Sequence, residues 1–143
     1  MKQAYICSAL IVKDNKYLLV KAKVGAPKGL WNNPGGHKEE GESDEETVKR
    51  ELLEETNLKI KIGKLIGIYT WQKNEEELII KKVYEAKIIS GELSFPEDEI
   101  EEVKWFSKDE ITNKNLFTFG AVKSIEDYEK DNFNQKYTSN KVP

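Results

Sequence analysis

"GGHKEEGESDEETVKRELLEETNL", residues Gly35 to Leu58, is the stretch on which the reading of this chain turns. Nine of its twenty-four residues are Asp or Glu. Close carboxylates repel one another unless positive charge lies between them. The second part of the stretch reads as a helix. Ser43-Asp44-Glu45-Glu46 fits a capping box, in which the Ser and Glu side chains satisfy each other's free backbone N–H groups. The acidic first turn complements the helix dipole. The helix is expected to run to about Thr56, with Asn57 as its stop, because Asn tolerates the left-handed conformation found just after helix ends.

At about 100° per residue, Glu51, Glu54 and Glu55 share one face of this helix. Val48 and Leu52 lie beside that face, one turn apart, and Leu53 lies further round. Two readings compete. A charge run is usually a solvated helix face laced to lysines. The other reading is a divalent-metal site, because hard cations take carboxylate oxygens together with water and substrate phosphates. Arg50 stands four residues before Glu54, where it can pair with a carboxylate and hold it in place. Gly35 and Gly36 end a Gly/Pro-rich connection just upstream, and glycines let the backbone approach a ligand. These surroundings tip the balance toward a metal-phosphate site.

Working outward, "AYICSALIV" at 4–12 and "YLLVKA" at 17–22 read as strands of a hairpin turning at "KDNK". "KVGAPKGLWNNPGG" at 23–36 holds four glycines and two prolines and reads as a long connection. After the helix come strands at 58–71, with a break expected near Gly63, and at 78–89, joined by "QKNEEE". A loop, a strand at 100–106 and a helix start capped by Ser107 follow. Residues 119–133 suit a one-sided helix, and the polar tail from Asn134 is expected to fray. The result is a single α/β domain over 1–143, without internal repeats.

The net charge of −3 argues against broad electrostatic binding of nucleic acid. A phosphate-bearing small molecule would need a metal or a local Lys/Arg cluster. No apolar run reaches the ~20 residues of a membrane span, and a cytoplasmic protein is expected. Cys7, the single cysteine, reads as a small buried hydrophobe on the first strand.

The spacing is also specific. Gly36, five residues, Glu42, seven residues, then Arg50-Glu51-Leu52-Leu53-Glu54-Glu55-Thr56-Asn57-Leu58 resembles the Nudix box of the Nudix (MutT-like) hydrolases, G-x5-E-x7-R-E-U-x-E-E-x-G-U with U aliphatic. The one departure is Asn57 in place of Gly, at a position where Asn is the next-best residue. "LWNNPGGHKEEGES" and "EDEIEEVKWFSKDEI" extend the resemblance over roughly residues 3 to 112. A finer similarity, through "LWNNPGGH", is to the subgroup acting on nucleoside tri- and diphosphates and thiamin pyrophosphate.

The resemblance implies an α/β/α sandwich around a mixed sheet. It also implies hydrolysis of a nucleoside diphosphate linked to another group, with Mg²⁺ or Mn²⁺. It makes Glu51, Glu54 and Glu55 metal ligands, one of them a candidate base, with Arg50 orienting them and Gly35 or Gly36 offering a backbone carbonyl. Glu42 is a weaker candidate for a water-mediated or structural role. A further acidic residue from a late loop is expected to be Glu99, with Glu97 as the alternative. His37, Trp31 and Trp71 are candidate substrate contacts, Lys28 and Lys38 candidate phosphate contacts, and Trp105 reads as core. A homodimer is compatible with the family. Two other classes compete with this reading: a non-catalytic nucleotide-binding module with a regulatory role, and an isoprenoid diphosphate isomerase. A binding module could lose Glu54 or Glu55, and both are present; an isomerase would need a cysteine in the site.

Overall fold

The computed structural model describes residues 2–25 and 27–139. Its elements run β1 (Lys2–Lys13), β2 (Lys16–Ala22), β3 (Trp31–Asn32), β4 (Gly35–His37), α1 (Asp44–Thr56), β5 (Lys59–Asn74), β6 (Glu77–Ser90), β7 (Ile100–Ser107), α2 (Phe119–Glu129) and β8 (Gln135–Ser139), with short 3-10 turns at Lys108–Glu110 and Lys114–Leu116. The strands form one mixed sheet in the order β3-β2-β1-β6-β5-β8, with β4 added beside β1 and β7 beside β2.

The opening hairpin forms, but it is short. Asp14 and Asn15 both take positive φ, 51° and 60°, which suits a two-residue turn matched to strand twist. Only Val12↔Tyr17 and Lys13↔Lys16 pair before the strands part. β1 then runs parallel to β6, from Lys2↔Glu77 to Ile11↔Ala86, and antiparallel to β4. β2 pairs instead with β7.

Each face of the sheet carries one helix and its own core. Val48 and Leu52 of α1 pack on Cys7, Ala9, Ile11, Leu18 and Ala86. Ala121 and Ile125 of α2 pack on Leu10, Tyr17, Leu19, Ile66, Tyr69 and Val83. This is the three-layer α/β/α arrangement, with consecutive β1 residues facing opposite cores. Trp105 packs, partly buried, against the α1-side cluster.

Several boundaries differ from the sequence reading. Gly63 does not break β5; the register shifts between Ile62 and Leu65 while the strand continues, a bulge rather than an end. The 23–36 connection contains β3 and runs into β4. The tail from Asn134 is not frayed as far as Ser139: β8 pairs in parallel with β5, from Gly67↔Gln135 to Trp71↔Ser139. β5 would otherwise present an unpaired edge, and Tyr137 adds a ring contact to Phe119 that composition alone does not reveal. The remainder of the predicted tail, 140–143, lies outside the described residues.

The capping box closes as expected: Ser43 accepts from Glu46 N–H, Glu46 accepts from Ser43 N–H, and Asn57 takes φ 62° as the left-handed C-cap. A second device ties α1 to the sheet. Asp44 accepts from Lys38 at 2.9 Å, Lys82 at 3.1 Å and Tyr84 at 2.6 Å. Burial opposes ionisation of Asp44, but these donors outweigh it and hold the carboxyl well below the usual range. A lowered folded-state pKa adds stability that is complete above the unfolded carboxylate value near ~4 and is lost as pH falls below it. Asp44→Asn is therefore expected to cost about 1–2 kcal/mol at neutral pH. It should also flatten the acid limb of the unfolding midpoint measured across a pH series.

Candidate active site

Arg50 sits at the centre of the acidic stretch. Its Nε and Nη2 donate to the two oxygens of Glu42 at 2.7 and 3.0 Å, a forked pairing. Nη1 donates to Glu51 at 2.9 Å and, more distantly, to Glu54 at 3.4 Å. Nη2 also reaches the His37 carbonyl at 3.1 Å, tying the helix to the end of β4. One guanidinium thus fixes both the helix carboxylates and the glycine strand. Glu42 is held down to about 2, first by Arg50 and then by the Glu39 N–H.

β4 brings the glycines against the helix. Its pairing with β1, Cys7↔Gly36 and Ser8↔Gly35, is what fixes their position. Gly35 N–H donates to Glu55 Oε1 at 2.8 Å. A Cβ on Gly36 would sit 2.5 Å from Glu51 Oε1, so only glycine permits this approach. Gly36→Ala is expected to fold, because the obstructing atoms are the end of a flexible side chain. It should displace the Glu51 carboxylate and lower turnover about 10²-fold, the usual consequence of misplacing a reacting group by an ångström. Paired melting and rate measurements check both halves.

A cleft of about 290 Å³ opens over this junction, lined among others by Gly35, Gly36, His37, Glu55 and Glu99. The partly buried Glu55 is pushed up to about 8 by burial; the Gly35 N–H opposes this, and the charges of Glu51, Glu54 and Glu99 add to it. Burial likewise raises Glu51, with Arg50 opposing. Glu55 therefore feels three other carboxylates, of which Glu99 shares the cleft lining with it.

The donor set fits a hard divalent cation. These are oxygen ligands, and both the burial of Glu55 and its repulsion by neighbouring carboxylates are what such a cation would relieve. Among the described residues, no three acidic, His or Cys side chains form a ready-made cage. A Mg²⁺-like ion is commonly held by one or two carboxylates, with water and phosphate oxygens completing its shell.

The other candidates divide. Glu99 reaches the cleft; Glu97 does not line it, and its backbone carbonyl accepts from Lys23 at 3.0 Å. His37 lines the cleft and also an adjoining cavity with Trp71. Trp31 lines neither cavity and packs edge-on to Phe106 within the α2-side core. Apolar burial of so large a ring outweighs its use in the adjacent cleft. Lys38 is spent on Asp44, and Lys28 is exposed and lines neither cavity. Cys7 is buried, and burial, with Asp44 beside it, pushes its thiol up to about 12, so it supplies no thiolate.

The sequence reading missed Lys81, Asn32 and Asn33. Lys81 is 2% exposed, and its Nζ donates to Asn32 Oδ1 at 2.7 Å and Asn33 Oδ1 at 2.8 Å. Burial lowers its amine to about 7, with Glu55 opposing. A signal was available. Ile79, Lys81 and Val83 alternate along β6, so the period of two points Lys81 inward with its apolar neighbours.

Comparison with known proteins agrees with this geometry. The family profile described as NUDIX domain matches residues 2–128. An ADP-ribose pyrophosphatase of Methanocaldococcus jannaschii is 36% identical over 126 residues, covering 87% of this chain and 72% of the relative. An NAD-capped RNA hydrolase NudC of Mannheimia succiniciproducens is 34% identical, with 73% of this chain aligned to 41% of that longer protein. In three dimensions, a NUDIX hydrolase from Nitrosomonas europaea superposes with a TM-score of 0.82 at 30% identity, covering 93% of each chain. With the complete acidic box, the glycine strand beneath it and the three-layer sheet all in place, this chain belongs to the Nudix hydrolase family.

Proposed function

We propose that this Nudix hydrolase cleaves the P–O–P linkage of a nucleoside diphosphate joined to a second group, using Mg²⁺ or Mn²⁺. The observation that carries this reading is the Arg50-centred array. It holds Glu42, Glu51, Glu54 and the His37 carbonyl together over the Gly35–Gly36 strand. Glu51, Glu54 and Glu55 would hold the cation, with a backbone carbonyl of Gly35 or Gly36. When bound, the cation would neutralise charge on the diphosphate oxygens and lower the pKa of an attacking water.

The chain's own residues do the rest. Arg50 fixes the carboxylate positions, so little reorganisation is left for the reaction itself. Gly35 N–H occupies one oxygen of Glu55 and sets the direction of the other. Glu54 and Glu99 are exposed, and of the acidic residues at the site they are the least committed to protein donors. Either is suited to take the proton of the attacking water. His37 and Trp71 line the space beside the cleft, where the group attached to the diphosphate would lie.

The test is product analysis. ADP-ribose goes first in the panel, because the archaeal relative carries that name. Nucleoside triphosphates, nucleotide sugars, NAD and thiamin pyrophosphate complete it. The expected result is release of a nucleoside monophosphate, or of phosphate or pyrophosphate, from at least one member. Absence of P–O–P cleavage across the panel would overturn the reading.

A further inference from the structure

We infer that Lys81 and Asn32 form a specificity floor that selects a planar ring presenting an oxo group rather than an amino group. The inference rests on the diphosphate-hydrolase reading only for where the remainder of the substrate lies. A cavity of about 100 Å³ adjoins the acidic cleft and shares Ile6, Pro27, Asn32 and His37 with it. Ile6, Trp71 and Ile79 supply apolar walls, and Lys81, Asn32 and Thr118 a polar end. Trp71 is held edge-on by Phe119, which fixes the orientation of its ring. Apolar walls with one polar end suit a flat heterocycle better than a hydrated anion, which would lose its water against Trp71 and Ile79.

The hydrogen-bond inventory gives the polar end a sign. Asn32 Oδ1 already accepts from Lys81 at 2.7 Å, Thr118 at 2.9 Å and Asn33 N–H at 2.9 Å. Asn33 Oδ1 accepts from Lys81 at 2.8 Å, and its amide donates to Ser124 at 3.2 Å. Thr118 Oγ1 donates to Asn32 and accepts from Ala121 N–H at 3.2 Å. The Asn32, Asn33 and Thr118 side-chain oxygens at this end each already accept a hydrogen bond, and His37 and Lys73 are the other polar residues lining the cavity. Donors remain: an ammonium has three N–H groups, and Lys81 gives two of them to the Asn pair. The Asn32 amide N–H groups donate to no acceptor among the described residues. Among the described residues no buried side-chain nitrogen or oxygen lacks a partner, so that amide nitrogen is not buried, and Asn32 lines the cavity. A floor with donors to spare pairs with ring carbonyls and sets donor against donor when an amino group takes their place.

The experiment compares matched pairs that differ at one ring substituent, inosine against adenosine and uridine against cytidine. It is run at mildly acidic pH, where the Lys81 amine holds its proton. Hydrolysis of the corresponding nucleoside diphosphate compounds is read as kcat/KM, and binding of the free nucleosides is read by calorimetry. The wild-type protein is expected to favour the oxo member of each pair about tenfold or more in both readouts. In Lys81→Met that ratio should fall toward one. If Lys81→Met does not fold, Gly120→Ala serves. A Cβ there would sit 3.1 Å from Lys81 Nζ and crowd the ammonium without removing it, and the ratio should again drop. Equal use of oxo and amino members by the wild type, or a ratio unchanged in a folded variant, overturns the inference. Nucleoside discrimination without hydrolysis would instead overturn the proposed activity and leave the floor standing.

Discussion

Glu51→Gln is expected to lower turnover by a factor on the order of 10³ or more, equivalent to about 4 kcal/mol of transition-state stabilisation. Glu51 is the carboxylate most closely built into the site: Arg50 holds it from one side and Gly36 backs it from the other. Gln keeps its shape and removes its charge, so it tests charge rather than packing. The fold should tolerate the change to within about 1 kcal/mol, because losing the Arg50 pair is offset by relief of the crowded carboxylates. A melting curve near the wild-type value beside a collapsed rate is the expected pair of results.

Arg50→Lys is expected to have the second-largest effect, on stability as well as rate. Arg50 makes forked bonds to Glu42 and single bonds to Glu51, Glu54 and the His37 carbonyl. A lysine ammonium keeps the charge but cannot span these directions. The side chain is 25% exposed, so the cost lies below that of a fully buried pair, at about 2–3 kcal/mol. For a chain of this size that lowers Tm by about 10 °C. Turnover should fall about 10²-fold, because the carboxylates lose their common anchor. A rate unchanged by Arg50→Lys would show that charge alone, without the fork, organises the site.

The site was legible where its chemistry is local in the chain. α1 carries its own start signal, stop signal and acidic face, so Ser43, Asn57 and the three glutamates could be placed from spacing alone. Glu99 was preferred to Glu97 in the sequence, and only in three dimensions does Glu99 line the cleft and Glu97 not, because loop 91–99 carries no period that says which carboxylate turns inward. Trp31 could not be placed from sequence, because a tryptophan beside a glycine-rich segment serves a core or a ligand equally well. What decides is Phe106, distant in sequence. β8 and the partners of Lys81 were invisible for the same reason, although the period of β6 points Lys81 inward: each depends on a strand edge or side chain supplied from elsewhere in the chain.

The most direct test of the central claim, that the crowded carboxylates are a divalent-cation site acting on diphosphates, is a metal titration of turnover. The rate on the best substrate of the panel would be followed in chelator, then with rising Mg²⁺ or Mn²⁺, for wild type and Glu51→Gln. The account predicts no turnover in chelator, saturable recovery with metal in the wild type, and recovery in the variant that is weak or needs far more metal. Turnover that persists in chelator, or a Glu51→Gln titration superimposable on that of the wild type, would contradict it.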